Sequence, residues 1–379
     1  MLFVLLHRCI FMGMQGEGVQ VRTTPRGITL RIATPRESLL FIDPAGRMVY
    51  AYLAPVGWWF HLDGRAVLRS HRDGQRWVRH LSHTATRKLV AFLVRMWTPE
   101  VSTLDLSRAL HLLEQDRRTY TALYGALPIL PPDQYRTVVL QLTRGCPWNR
   151  CTFCTFYRSV RYQVRSLEDW TRHVEAVYAW LSPTLTFRDR IFLADASALA
   201  VPERRLLRAL ETVARRFPSA VAKRQLYSFA DLPSSLRRPY RTWRKLQAMG
   251  LRRVYLGVES GHDGLIRALN KPQTADEVRA AVEGLKAAGM AVGLIFLVGV
   301  GGTRWQAPHR DASLRLLEQL PLDEDDQVYL SPYVSVSGGP PGITPGTMEK
   351  ELQRWQNALK GRPFSVARYD VRLWPEPKA

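Results

Sequence analysis

The apolar and polar positions of this chain follow two different rhythms. Between residues 17 and 80 they alternate with a period of two, the signature of strands with one covered face. Val19-Gln20-Val21-Arg22-Thr23 alternates, as does Ile28-Thr29-Leu30-Arg31-Ile32. Ser38-Leu39-Leu40-Phe41-Ile42 runs into Asp43-Pro44-Ala45-Gly46-Arg47, a turn, and Met48 to Tyr52 continues as the next strand. Asp63-Gly64 marks another hairpin before Ala66-Val67-Leu68, and Trp58 and Trp59 are read as hydrophobic cover lying between strands. Residues 85 to 125 change to a helical period, with Leu89, Phe92, Leu93 and Met96 on one stripe. Three prolines between Leu127 and Pro132 suggest a linker.

From residue 135 onward, short apolar runs alternate with helical segments. The expected strands are Thr137 to Leu142, Arg190 to Ala194, Gln225 to Phe229, Arg253 to Val258, Val292 to Val298 and Gln327 to Tyr333. Helices are expected between them at Leu167 to Leu181, Pro202 to Phe217, Pro239 to Met249, Ala275 to Ala288 and Gln306 to Leu320. Gly250 and Gly289 stand where two of these should stop. Such alternation means a parallel sheet with helices outside, and in βα barrels the chemistry belongs at the carboxyl ends of the strands. A Gly/Pro-rich loop from about Ser337 precedes one last amphipathic helix around Met348 to Leu359. The expected divisions are 1–130, β-rich and then helical; 131–336, the βα unit; and 337–379, a loop and helix.

The chain's 379 residues suffice for one large domain and a smaller one, and its 46% hydrophobic content is ordinary for a globular protein. No apolar run approaches the roughly 20 residues that span a bilayer, so no membrane partner is expected. Met1 to Leu6 is apolar, but Arg8 interrupts it and no small-residue cleavage site follows. It fits a signal peptide poorly, and Met12 or Met14 is an alternative start. The expected location is the cytoplasm.

The formal net charge is +21, carried by 46 arginines and 8 lysines. Arg144 to Arg165 holds five arginines and no acid, and Val201 to Arg253 holds fourteen basic residues against Glu203, Glu211 and Asp231. The excess therefore concentrates in the βα unit. A solvated face in an arginine-rich chain accounts for it. An anionic partner such as RNA, a phosphorylated substrate or an acidic electron donor is the functional alternative.

Three of the four cysteines fall within nine residues. The segment reads Thr143-Arg144-Gly145-Cys146-Pro147-Trp148-Asn149-Arg150-Cys151-Thr152-Phe153-Cys154 and directly follows the first βα strand. A secreted disulfide framework would spread its cysteines in pairs, so the cluster argues for a metal, and Cys9 is set aside as chemically idle. Three thiolates in one loop can hold three irons of a cubane and leave the fourth open. A structural zinc wants four ligands, and neither a second cysteine pair nor a histidine nearer than His173 is present. The competing class is an arginine-rich RNA-binding protein with a zinc–cysteine site. RNA recognition would add exposed aromatic rings to the charge, whereas Tyr240 and Trp243 stand at helical spacing and are read as partly core.

At these residues, and over roughly 135 to 345, the sequence resembles the radical S-adenosylmethionine (SAM) superfamily. The family's common loop spaces its cysteines by three residues and then two; this chain has four and then two, a known variant. The resemblance implies an α/β fold, a partial (β/α)6 TIM-like barrel carrying a small β-rich N-terminal domain. It implies a [4Fe–4S] cluster on Cys146, Cys151 and Cys154, which are both metal ligands and the catalytic centre, with SAM on the open iron. Phe153 matches the residue near the SAM adenine. Phe192-Leu193-Ala194-Asp195-Ala196-Ser197 resembles the segment that receives the SAM amino group, with Asp195 as acceptor, although glycines are usual at Ala194 and Ala196. Gly257-Val258-Glu259-Ser260-Gly261 resembles the Glu-Ser-Gly segment near the ribose and amino-acid portion, so Glu259 and Ser260 become candidates. Ile295 and Val298 lie on a strand similar to the apolar one beside adenine, Ser228 could face the cofactor from the third strand, and Gly299 to Gly302 could let the backbone approach the ligand.

The activity so implied is reductive cleavage of SAM to a 5′-deoxyadenosyl radical acting on an unassigned substrate, with reduced flavodoxin or ferredoxin as electron donor. Methylthio-transferring relatives need additional N-terminal cysteines, which residues 17 to 80 lack, and no cysteine after Cys154 supports an auxiliary cluster. Coproporphyrinogen-oxidising relatives carry a fourth cysteine where Thr155 and Phe156 stand. No N-terminal cobalamin-binding pattern is evident.

Overall fold

The computed structural model of the protein describes residues 19–32, 38–72, 75–97, 105–124, 127 and 129–373. Cys9, Met12 and Met14 lie outside the described residues. The chain divides into two compact units, the first holding residues 19–124 with 180–188 and 372–373, the second 127–179 with 189–371.

The first unit is a seven-stranded antiparallel meander in chain order: β1 (Val19–Thr24), β2 (Gly27–Ile32), β3 (Ser38–Ile42), β4 (Met48–Leu53), β5 (Val56–Phe60), β6 (Ala66–Arg72) and β7 (Gln75–Leu81). In β3 the period of two is visible as burial, with Ser38, Leu40 and Ile42 inside. Asp43 caps the following turn by accepting the N–H groups of Ala45 and Arg47 on one carboxylate oxygen. Trp58 and Trp59 stand within β5 itself, paired with Ala51 and Tyr50 of β4, rather than between strands. Helices His83–Trp97 and Leu106–Tyr124 follow. The first packs Leu93 and Trp97 against Leu30, Leu40, Ile42 and Ala51, but Phe92 points outward at 52% exposure. Leu89 and Met96 pack partly buried against the same cluster, and Val90 and Val94 are buried as well.

The second unit is a parallel sheet in consecutive order. Its strands are β8 (Val138–Gln141), β11 (Ile191–Ala194), β12 (Leu226–Ala230), β13 (Leu251–Glu259), β14 (Ala291–Val298), β15 (Gln327–Pro332) and β16 (Ser365–Arg368), with β8 and β16 at its edges. The two-residue strands β9 (Thr143–Arg144) and β10 (Gln163–Val164) form a separate antiparallel pair. Every residue of β14 is buried, as expected for a parallel strand covered on both faces. Each crossover carries helix, which places the strands' carboxyl ends together on one side. Six strands lie where the alternation put them. The seventh, β16, follows helix Pro345–Ala358, so residues 337–371 belong to this unit rather than to a separate tail. Leu127 and Leu130 are 1% exposed, so the proline-rich stretch between the expected domains is packed rather than loose.

Rings fill the concave face. Phe192, Phe229, Tyr255, Tyr329 and Tyr369 meet in succession across five strand positions at 5.2 to 6.4 Å. Below them Asp133, ahead of β8, accepts hydrogen bonds from Tyr255 at 2.6 Å and Tyr329 at 2.5 Å. Arg253 adds an ion pair at 3.2 Å. A carboxylate from before the first strand thus ties together β13 and β15, the fourth and second strands from the opposite edge.

Candidate active site

The three cysteines sit on the loop that leaves β8, at the carboxyl end of the sheet. The loop is tied at its base: Thr143 and Arg144 pair antiparallel with Val164 and Gln163. Arg165 adds a backbone bond to Leu142 at 3.1 Å and a side-chain bond to the Gln141 carbonyl at 2.7 Å. Along its far side the loop is fastened to the segment after β13. Thr152 donates to the Leu269 carbonyl at 3.0 Å, Trp148 Nε1 to the Asn270 carbonyl at 2.8 Å, and Asn270 Nδ2 to the Arg150 carbonyl at 2.9 Å. Asn149, part of the longer first spacing, takes φ +50, a conformation asparagine tolerates better than most residues. Its N–H points to Cys146 Sγ at 3.4 Å.

All three thiols are free and partly buried. Burial pushes the Cys151 thiol up to about 12, with Lys271 opposing and Glu259, Cys154 and Cys146 adding to the rise. Burial likewise raises Cys154. Cys151 and Cys154 therefore stand in a desolvated setting beside other sulfurs, which favours their neutral form until a cation is present. Sulfur donors alone, three on one loop, fit iron in a cluster. Among the described residues no three His, Cys, Asp or Glu side chains converge closely enough to hold a single metal ion. A cubane differs from zinc in giving each thiolate its own iron.

Glu259, at the end of β13, holds a left-handed backbone at φ +58, a conformation that costs a non-glycine residue roughly 1 kcal/mol or more. Its Oε1 receives Lys271 Nζ at 2.7 Å. Burial disfavours the Lys271 ammonium, but Glu259 and the two thiols Cys151 and Cys154 outweigh it and hold its pKa above the ordinary lysine range. The pair occupies the space a side chain at 257 would fill: a Cβ on Gly257 would lie 2.5 Å from Glu259 Oε1 and 2.8 Å from Lys271 Nζ. The ammonium also stands 6.0 Å from the Phe153 ring centre. Phe153 itself packs with Leu265, Leu269, Leu297, Val300 and Tyr333.

The other expected residues separate. Ile295 faces the concave side, in register with Gly257 and Tyr329. Val298 shares the opposite side with Phe296, whose ring meets Trp355 of the covering helix at 5.7 Å. Ser228 is one residue out of phase with Phe229 and fully buried, its hydroxyl on the Leu193 carbonyl at 2.9 Å. Ser228 and Val298 therefore face the helical layer and are not brought to the cysteines. Ser260 is 1% exposed and hydrogen-bonded to His309 Nδ1 at 2.7 Å. Burial holds that imidazole neutral, its pKa lowered to about 3. A Cβ at Gly299 would meet Met348 and Ile343, and one at Gly301 would meet Trp305 and Leu265, so both glycines make room for neighbouring side chains. Asp195 is 4% exposed and accepts from Tyr157 Oη at 2.7 Å and the Gly145 N–H at 3.3 Å. Burial, with the Asp195 charge, keeps the Tyr157 hydroxyl protonated. His173 is not near a metal position; its Nε2 accepts the Gln141 N–H at 3.0 Å.

The Radical SAM superfamily model matches residues 140–313, from the end of β8 through β14 into the helix after it. Residues 140–313 are a radical SAM domain. Enzymes of this superfamily use a [4Fe–4S] cluster and SAM. No curated protein matches the chain. Among solved structures, methylornithine synthase (PylB) is 13% identical over 76% of this chain and 79% of its own, with a TM-score of 0.42. Coproporphyrinogen III oxidase (HemN) from Escherichia coli is 14% identical over 65% and 55%, also at 0.42. The cobalamin- and cluster-bound radical SAM methyltransferase TsrM from Kitasatospora setae is 17% identical over 52% of this chain, at 0.39. This chain covers only 35% of that methyltransferase's length.

Tyr157 and His309 are not singled out by the sequence, and Lys271 stands in the segment after Glu-Ser-Gly without an assigned role. Lys271 closes Leu269-Asn270-Lys271, the run shortly after the Glu-Ser-Gly segment, and its signal is a lysine in an arginine-rich chain beside that segment.

Proposed function

We propose that Cys146, Cys151 and Cys154 bind a [4Fe–4S] cluster whose open iron takes SAM, and that the protein is a radical SAM enzyme acting by hydrogen-atom abstraction. The observation that carries this reading is the fastened, sulfur-only loop at the carboxyl end of the first strand of a radical SAM domain. When bound, the cluster supplies the electron that cleaves SAM to methionine and a 5′-deoxyadenosyl radical. The chain's own residues bind and shield. Lys271 compensates charge beside the thiolates and fixes Glu259, which is left with one carboxylate oxygen for a polar group of SAM. Phe153 and Ile295 offer apolar surface for the adenine. The packed rings of the concave face close the site from below and keep water from a radical.

Four arginines of the loop region, Arg144, Arg150, Arg158 and Arg161, are exposed. Arg158 also bonds the Cys154 and Thr152 carbonyls at 3.0 and 3.2 Å. This positive collar suits an acidic donor such as reduced flavodoxin or ferredoxin. No helix among the described residues is long and apolar enough to cross a membrane, and free thiols suit the reducing cytoplasm. The substrate is a molecule reached through the same mouth.

One observation favours the RNA-binding alternative: Tyr240 is 55% exposed among exposed arginines, whereas Trp243 is core. Anaerobically purified protein decides. The enzyme reading expects about four irons per chain, and methionine with 5′-deoxyadenosine after dithionite and SAM are added. Zinc without iron, or no SAM cleavage by an iron-loaded chain, defeats it.

A further inference from the structure

We propose that Asp195 is a positioning residue that clamps the two limbs of the cysteine loop, rather than a contact of the SAM ammonium; the inference rests on the cluster assignment above. Its carboxylate reaches both sides of the cysteine segment. Oδ2 accepts the N–H of Gly145, the residue before Cys146, at 3.3 Å, and Oδ1 accepts the hydroxyl of Tyr157, three residues past Cys154, at 2.7 Å. Gln141 Nε2 stands 3.5 Å from the same Oδ2, and the Asp195 N–H donates to Thr143 Oγ1 at 3.0 Å. The limbs are close where the clamp acts: a Cβ on Gly145 would lie 3.1 Å from the Val160 carbonyl.

A further stitch joins the same partner. Asn149 Nδ2 donates to the Tyr157 carbonyl at 2.6 Å while its N–H points to Cys146 Sγ. The longer Cys146–Cys151 spacing is thus taken up by a left-handed turn that hangs on Tyr157, and Tyr157 in turn hangs on Asp195. A buried carboxylate needs its lone pairs satisfied, and here the protein already supplies both oxygens with donors. Bonds to a charged acceptor are roughly twice as strong as neutral ones. An ammonium would have to take Asp195 from the loop it holds. The clamp fixes the thiols before metal arrives, as partners one bond removed do in metal sites generally, where their loss costs about 10- to 100-fold in metal affinity.

The test compares wild type, Asp195→Asn, Tyr157→Phe and the double variant after anaerobic reconstitution with iron and sulfide. Iron loss to a chelator and SAM affinity per loaded cluster are measured, and circular dichroism checks folding. Tyr157→Phe removes only an oxygen and serves as the mild variant should Asp195→Asn fold poorly. The clamp expects both single variants to lose iron about 10- to 100-fold faster. The double variant should be no worse than the more damaged single one, because both remove one interaction. Tyr157→Phe should keep its SAM affinity. Wild-type iron retention in either single variant overturns the clamp, and Asp195→Asn that keeps iron but loses SAM affinity restores the ammonium role. A wild-type chain that takes up no iron overturns the cluster assignment itself, a failure visible before any variant is made.

Discussion

At the amino ends of the parallel strands, Asp133 gathers Tyr255, Tyr329 and Arg253; at the carboxyl ends, Asp195 gathers Tyr157 and the Gly145 N–H. The chemistry is alike, a carboxylate accepting from tyrosine hydroxyls, Asp195 buried and Asp133 partly so. The consequence differs because of what each carboxylate joins. Asp133 links strands that rings already hold together, so its bonds close a floor. Asp195 links the limbs of the loop that carries the three cysteines, so its bonds bear on where their sulfurs stand. The two ends show that a satisfied carboxylate marks stability or function only through the elements it connects, in keeping with the division of labour between the faces of βα barrels.

The contrast can be broken most forcefully at the cysteines. Changing any one of Cys146, Cys151 or Cys154 to Ala should abolish iron retention and SAM cleavage while circular dichroism and melting stay near wild type; iron analysis beside a melting curve checks it. The floor should behave in the opposite way. Asp133→Asn leaves Tyr255, Tyr329 and Arg253 with a weaker acceptor and should cost about 1–3 kcal/mol in denaturant unfolding, with iron per folded chain unchanged. A loss of iron from folded Asp133→Asn would erase the distinction between the ends.

Acid should act on the second unit through two buried histidines. Burial lowers His309 and His173 to about 3, so neither takes up a proton in the fold until far below the ordinary value of 6.5. The unfolded chain binds those protons from about pH 6.5 downward, so stability is lost as pH falls from 6.5 toward 3. Between pH 7 and pH 5 each histidine should remove roughly 2 kcal/mol, measured as unfolding free energy against pH. His309→Gln should flatten that curve by its share. The smallest effect belongs to the collar. Arg158→Gln with Arg161→Gln should slow reduction by an acidic donor protein several-fold at low salt and little at high salt, while dithionite reduction is unchanged.

Much of this arrangement was legible in the residues. The period of two gave the meander, and continuous apolar runs gave six parallel strands, because those patterns record which faces are covered. Ser365–Arg368 carries too few apolar residues to announce a strand; it is one because β15 offers an unpaired edge. Phe92 fits the helical stripe by spacing yet faces outward, while Leu89, Leu93 and Met96 of the same stripe pack against the sheet. The cysteines were legible because their spacing is local. The bonds from Asp195 to Tyr157, Lys271 to Glu259 and Ser260 to His309 join residues 12 to 49 positions apart, and no local pattern encodes them. Ser228 and Val298 were misplaced for the related reason that strand phase, not strand membership, decides which side a residue faces.

The central claim is that three sulfurs leave one iron of four without a protein ligand. Mössbauer spectroscopy of protein reconstituted with isotopically enriched iron, before and after SAM is added, reads this directly. The account predicts that about a quarter of the signal, one iron in four, shifts on SAM addition while the rest stays. A spectrum that SAM leaves unchanged, or one without a cubane, would contradict it.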